Sequence, residues 1–259
     1  MSMYVYESGA SGASAILWLH GGGVGSWAWQ EQLRHFSDYH QLAPDLPEQG
    51  RSLAEKPFTI RDAAERAAAL IRNRGRDGRA CVVGHSLGAQ VLVQLLAIAP
   101  EVVERAVICS ALVHPLPGKG LIRPMLRAYM PFKDLPWLVR ANFNYLGLPA
   151  AYYDHFAQET RRASLDSMAH IFTENMSFGL PPGLESAQAP ALVLAGEKEY
   201  GMLKRSLRQL AAALPNGRGC LGKGMIHNWP VASPDTFNQV VRAWLEERPL
   251  PGILIGCRP

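Results

Sequence analysis

The stretch Val82-Val83-Gly84-His85-Ser86-Leu87-Gly88-Ala89 constrains this chain more than any other. An apolar, β-branched run enters Gly-x-Ser-x-Gly, and an apolar run with helical character leaves it. A serine hydroxyl is a weak nucleophile and must stand clear of the backbone where a base can reach it. A sharp strand-to-helix turn achieves this by holding the serine in a strained conformation. Glycines two before and two after let neighbouring backbone pass close by. The helix that follows directs its first N–H groups toward the same spot, where they can hold a developing oxyanion. Ser86 is therefore the candidate nucleophile. The flanks support the turn: Ala80 to Val83 reads as a buried strand, and Leu87 to Ile98 as a helix stopped by Pro100.

The same alternation extends on both sides. Met3 to Glu7 reads as a short edge strand. Ala15 to Leu19 is a continuous apolar strand that ends in His20-Gly21-Gly22-Gly23. Ser26 is a plausible N-cap for a helix with Trp29, Leu33 and Phe36 on one face. Gln41 to Ala43 is a short strand, and Pro44-Asp45-Leu46-Pro47 after it must be a loop. Thr59 caps a helix striped by Ile60, Ala64, Ala67, Leu70 and Ile71, with Asp62 placed to complete a capping box and Gly75 ending it. Arg105 to Ser110 is a further strand. From His114 to Gly183 the texture changes: prolines recur, aromatics are dense, and helical pieces replace strands. The alternation then resumes with a strand at Ala191 to Ala195, a helix at Ser206 to Leu214 and a strand at Gly219 to Leu221. A loop through His227 and a final helix opened by Ser233 and Pro234 follow. This pattern predicts an α/β fold, a mostly parallel central sheet with helices on both faces. It divides into a core domain at 1–113 and 184–259 and an inserted helical cap at 114–183. The tail 249–259 is apolar, and either packs back on the domain or is partly disordered.

Composition excludes several classes. The formal net charge of +4 is small and spread along the chain. Arg72, Arg74, Arg76 and Arg79 form the densest basic stretch, but Asp77 and two glycines interrupt it, so it reads as a solvated helix end, and no nucleic-acid partner is expected. No apolar run reaches the roughly 18 residues of a membrane span. The first residues lack the basic and long apolar regions of a signal peptide. Cys81, Cys109, Cys220 and Cys257 form no CxxC or zinc-like pair, and are read as buried free thiols of a cytoplasmic protein. No metal or cofactor is implied. The glycines at 21–23 match neither a P-loop nor a dinucleotide fingerprint. No oligomeric state follows from the sequence.

A serine nucleophile needs a base, the base an orienting carboxylate, and the oxyanion its donors. In this layout they should lie at the C-terminal ends of strands, in the order serine, acid, histidine. His227, after the last strand of the alternation, is the candidate base. Glu199, two residues beyond Glu197 in the loop after Ala195, is the preferred acid, with Glu197 as the alternative. Asp45 reads as a structural loop residue. His20 is expected to bond the backbone of the glycine loop, and His85 to shape the turn. The donors would be the N–H groups of Leu87 and Gly22, with Gly23 as a substitute.

With these residues placed, the chain resembles the α/β-hydrolase fold family from Ala15 to Leu245. The resemblance rests on His20-Gly21-Gly22-Gly23, Pro44-Asp45-Leu46-Pro47, Gly84-His85-Ser86-Leu87-Gly88, Gly196 to Glu199, and His227. It departs in two places: a glutamate stands where the family most often has aspartate, and Glu48-Gln49 stand where it usually has glycine. The resemblance implies a serine hydrolase cleaving a carboxylic ester or related acyl substrate, with no cofactor. A serine in the elbow argues against the haloalkane dehalogenases and epoxide hydrolases. C–C hydrolysis, lyase or acyl-transfer chemistry with the same residues, or a ligand receptor of the same fold, remain compatible with it. The aromatic-rich cap predicts a largely apolar pocket for a medium-sized substrate.

Overall fold

The computed structural model describes residues 3–258. Strands β1 (Val5–Ser8), β2 (Ala15–Leu19), β3 (His40–Pro44), β4 (Ala80–His85), β5 (Val103–Cys109), β6 (Ala191–Gly196), β7 (Gly217–Gly222) and β8 (Leu254–Arg258) form one eight-stranded sheet, in the order β1-β3-β2-β4-β5-β6-β7-β8. The six inner strands run parallel, while β1 and β8 pair antiparallel at the two edges. The expected α/β fold with a mostly parallel sheet is what forms.

Alternation within the strands divides the core. Leu17, Leu19, Val82, Ala106, Ile108 and Val193 face one side, packed by α2 (Ile60–Arg74), α3 (Leu87–Ile98) and α8 (Gly201–Ala213). Ile16, Trp18, Val83, Val107, Leu192 and Leu194 face the other, where they meet Phe36, just past α1 (Gln30–His35), and Phe237, Val240 and Val241 of α9 (Pro234–Leu245). Burial on both faces explains why these strands read as unbroken apolar runs. The chain lays β3 on one side of β2 and β4 on the other. Ligands bind where the winding direction of a parallel sheet reverses, and Leu19 and Gly84 are in register there, so the glycine loop and the Ser86 turn emerge side by side.

Between β5 and β6 the chain forms α4 (Lys119–Tyr129), α5 (Pro136–Tyr145), α6 (Tyr153–Arg162) and α7 (Leu165–Ser177), with no strand among the described residues. Helix α4 lies on α7 through Ile122, Leu126 and Ala169, whereas α5 and α6 pack through Val139, Phe143 and Phe156 against Ala28 and Val231 of the core. Polar ties fix this segment to the sheet side. The Ile60 N–H donates to the Glu174 carboxylate at 2.7 Å, and Gln90 and Asn175 exchange side-chain and backbone bonds.

Several local expectations change. Ser26 is not an N-cap: it is the first residue of a short 3-10 turn, and its N–H is taken by the Asp45 carboxylate at 2.5 Å. Thr59 does cap α2 through the Asp62 N–H, but the Asp62 carboxylate reaches forward to Arg66 instead of back. Helix α8 begins at Gly201 and not at Ser206, which is buried inside it and accepts from the Val113 N–H. The tail folds back as β8, and Cys257 forms a disulfide with Cys220 of β7. Only Cys81 and Cys109 are free, and both are buried. The sequence pattern missed this bond because one partner sat in a strand and the other in a tail with no evident structure. The bond also removes the free-thiol argument for a cytoplasmic location. Among the described residues, no helix is long and apolar enough to cross a membrane.

The disulfide closes a sequence separation of 37 residues and pins an edge strand. Removing such a cross-link raises the entropy of the unfolded chain, at a typical cost of about 2–4 kcal/mol. Cys257→Ser should therefore lower the urea midpoint of the oxidised protein by that equivalent, and added reductant should reproduce the loss in the unmutated chain.

Candidate active site

The Ser86 turn is built by close approach. Ser86 has φ 53° and ψ −113°, a conformation that L-residues rarely adopt. A Cβ on Gly84 would lie 2.5 Å from the Gly88 carbonyl oxygen, and one on Gly88 would lie 2.1 Å from the Leu19 carbonyl oxygen. Both positions thus exclude any side chain, which is the physical content of the pentapeptide. The Ser86 N–H is held by the Cys109 carbonyl at 2.9 Å.

His227 Nε2 lies 3.0 Å from Ser86 Oγ, and His227 Nδ1 lies 3.0 Å from Glu199 Oε2. With Nδ1–H donating to the carboxylate, Nε2 is left to accept from the serine hydroxyl. The other Glu199 oxygen accepts from the Ser110 hydroxyl at 2.7 Å and the Gly196 N–H at 2.6 Å. Burial pushes the Glu199 carboxyl up, but the hydrogen bond and charge of His227, with the Gly196 and Ser110 donors, outweigh it, and the group sits below its ordinary value. Glu197 is directed elsewhere: its carboxylate accepts from the Gly224 N–H at 2.8 Å. Of the two carboxylates read from the sequence, the fold brings Glu199 to His227.

Leu87 opens α3, so its N–H has no partner in a preceding turn. Gly22 faces it: a Cβ there would sit 3.5 Å from Leu87 Cδ2. The Gly23 N–H, by contrast, is engaged: it donates to Gln49 Oε1 at 2.8 Å. His20 behaves as expected of a loop-bracing residue. Its Nδ1–H donates to the Gly21 carbonyl and its Nε2 accepts the Leu46 N–H, and burial holds its pKa low. Asp45 is structural, accepting from the Ser26 and Arg51 N–H groups.

Three contributors were not read from the sequence. Ser110, also at positive φ (62°), supports Glu199 from the end of β5. Gln49 fixes Gly23, and Glu48, at φ 62° and fully buried, accepts from the Phe58 N–H and from His170 of α7. The positive φ at Glu48 is the conformation that glycine tolerates best, so the glutamate departs from the family pattern at a backbone cost and adds these two side-chain bonds. His85 does more than shape the turn. Its Nε2–H donates to the His227 carbonyl at 2.9 Å, tying the His227 backbone to the Ser86 turn.

A family model described as alpha/beta hydrolase family matches residues 16–240. The chain belongs to that family. An AB hydrolase superfamily protein of Gibberella zeae is 27% identical over 254 residues, covering 95% of this chain and 85% of the relative. Among solved structures, MGS-M2, an alpha/beta hydrolase enzyme from a Medee basin deep-sea metagenome library, superposes with TM-score 0.79 at 20% identity, covering 96% of each chain. A thermophilic esterase from Thermogutta terrifontis superposes with TM-score 0.76 at 17% identity, covering 95% of this chain and 93% of that one. The chain is thus an enzyme, a hydrolase of the α/β-hydrolase fold. Relative to the family pattern, its local variants are the glutamate at 199 and the Glu48-Gln49 loop.

The His85 contact carries a pH signature. Burial, with the His227 charge adding to it, pushes the His85 imidazole down from 6.5 to about 3. The folded protein therefore excludes a proton that the unfolded chain binds below 6.5, so this residue's contribution to stability is complete above that pH and lost as pH falls toward 3. In His85→Gln, which keeps a donor but cannot titrate, the melting temperature should fall less steeply between pH 6.5 and 4 than in the unmutated protein.

Proposed function

We propose that this hydrolase cleaves a carboxylic ester or related acyl substrate through an acyl-enzyme on Ser86. One observation carries the reading: the unbroken chain Ser86 Oγ, His227, Glu199 at 3.0 Å per step, ending in a carboxylate that is itself held by two donors. In this mechanism His227 takes the Ser86 proton as the alkoxide attacks the substrate carbonyl. The Leu87 and Gly22 N–H groups receive the oxyanion, and loss of one such donor typically costs about 10²–10³ in kcat. Glu199 holds the imidazole in the tautomer that can accept, and stabilises the imidazolium once it forms. His227 then returns the proton to the leaving group. A water deprotonated by the same imidazole attacks the acyl-enzyme, and collapse of that second intermediate restores the Ser86 hydroxyl.

The residues 114–183 act as a cap in this reading. Its helices supply most of the wall of a cavity of about 900 Å3 that reaches Ser86. Leu121, Ile122, Met125, Leu126, Ile171 and Met176 make that wall mainly aliphatic. Such a lining supports a medium-sized, largely apolar substrate, although the aromatic density of the segment is spent partly elsewhere: Phe132 and Trp137 are exposed and do not border the cavity. The structural likeness to an esterase agrees with this chemistry.

The test is covalent. Intact mass after exposure to a small fluorophosphonate should show one adduct on the unmutated protein and none on Ser86→Ala, whose turnover of short-chain esters should fall by roughly 10³-fold or more. An adduct that persists in Ser86→Ala, or unchanged turnover, refutes the assignment.

A further inference from the structure

Ser86 stands between two cavities of unequal size. The larger, about 900 Å3, is bordered by Gly22, Ser86 and Leu87. The smaller, about 140 Å3, is bordered by Gly22, Ser86 and His227. His227 does not border the large cavity, and Leu87 does not border the small one. Proton transfer requires the general acid to lie within hydrogen-bond reach of the oxygen it protonates. The departing alcohol must therefore lie on the side that His227 faces, and the carbon chain of the acid on the other.

From this we infer that the small cavity holds the alcohol part of the substrate and the large cavity its acyl part, so that the preferred class is esters of bulky apolar acids with small alcohols. The inference rests on the acyl-enzyme reading above. The volumes set the limits. An apolar cavity of about 150 Å3 accommodates benzene, and ligand pockets for drug-sized molecules run to about 1,000 Å3. An alcohol of benzene size fills the small side, whereas a long or branched acyl chain fits the large one.

The two sides also differ in how they can yield. The small cavity is walled by Trp27, Trp29, Leu148 and Val231. Trp29 and Val231 are buried, and Trp27 is braced by His155 and Tyr152, with ring centroids 5.3 and 5.7 Å away. A wall backed by packed rings gives little ground to a longer alcohol. The large cavity ends at Leu121, Met125, Tyr145 and Phe172, all of them exposed, so a chain longer than the cavity can run out along apolar surface.

Methyl undecanoate and decyl acetate test this directly. They share one molecular formula and differ only in which side of the ester carries the long chain. The expected kcat/KM is higher for methyl undecanoate by about tenfold or more, since each methylene that finds no pocket forfeits binding in the transition state. A smaller ratio, equal rates or a preference for decyl acetate overturns the inference. Trp27→Ala, which widens the small side, should raise the relative rate on decyl acetate by about threefold or more. Met125→Trp, which narrows the mouth of the large side, should slow methyl undecanoate relative to methyl acetate. An unchanged ratio in a folded variant counts against the assignment of that cavity. If neither long ester is cleaved although a fluorophosphonate modifies Ser86, the partition of the two cavities is wrong. If neither is cleaved and Ser86 is not modified, the acyl-enzyme reading itself fails.

Discussion

The site depends on one close approach, that of α3 to the end of β2. The backbone at Gly88 passes so near the Leu19 carbonyl that a Cβ would sit 2.1 Å from it. This contact lets the helix begin immediately beside the glycine loop, with Ser86 at positive φ at the crest of the turn. Strain of this kind costs of order 1–3 kcal/mol and persists only where the surroundings determine it fully. Here they do: the Ser86 N–H is bonded to β5, Gly84 is packed against Gly88 and Ala89, and the strands on either side of β4 are buried on both faces. The same approach sets Gly22 against Leu87, so Ser86 and the two residues flanking it in space are placed by a single packing event.

The polar groups behind the serine follow from burial. A carboxylate taken out of water is tolerated only with partners, and Glu199, 7% exposed, has the His227 imidazole, the Ser110 hydroxyl and the Gly196 N–H. Those donors lower its pKa against desolvation and fix the direction of its free oxygen toward His227. On the opposite side, His20 and His85 are kept neutral by burial and each donates to a backbone carbonyl, that of Gly21 and that of His227. Two imidazoles whose charging is disfavoured by burial thus hold in place the loop that carries Gly22 and the loop that carries His227.

Where a feature obeyed periodicity or a turn rule, the sequence showed it. The parallel sheet was visible because two-faced burial leaves unbroken apolar strands, and the helix Leu87–Ile98 because Pro100 ends it. Ser86, Glu199 and His227 could be found because each lies just after a strand or in the loop that follows one in an alternating pattern, and chain order then restricts the choice. Ser110 and Gln49 were not legible, since a serine after a strand and a glutamine in a loop carry no signal until the sheet places β5 beside β6 and the loop after β3 beside Gly23. The Cys220–Cys257 bond was hidden for a related reason: the tail becomes β8 only by pairing with an edge strand distant in sequence.

The helical segment between β5 and β6 is not held uniformly, and its two attachments serve different sides of Ser86. Helix α7 is anchored at Glu48, Ile60 and Gln90 through His170, Glu174 and Asn175. Its Ile171 therefore stays within contact of the position a Gly22 Cβ would occupy, and shapes the large cavity at its origin. The end of α5 is tied differently, by the Asn228 side chain donating to the Leu146 carbonyl at 2.8 Å. Asn228 follows His227 directly, so the wall that Leu146 and Leu148 contribute to the small cavity is fastened to the loop carrying His227. On the wide side, α4 packs on α7 through Ile122, Leu126 and Ala169 and leaves Leu121 and Met125 exposed.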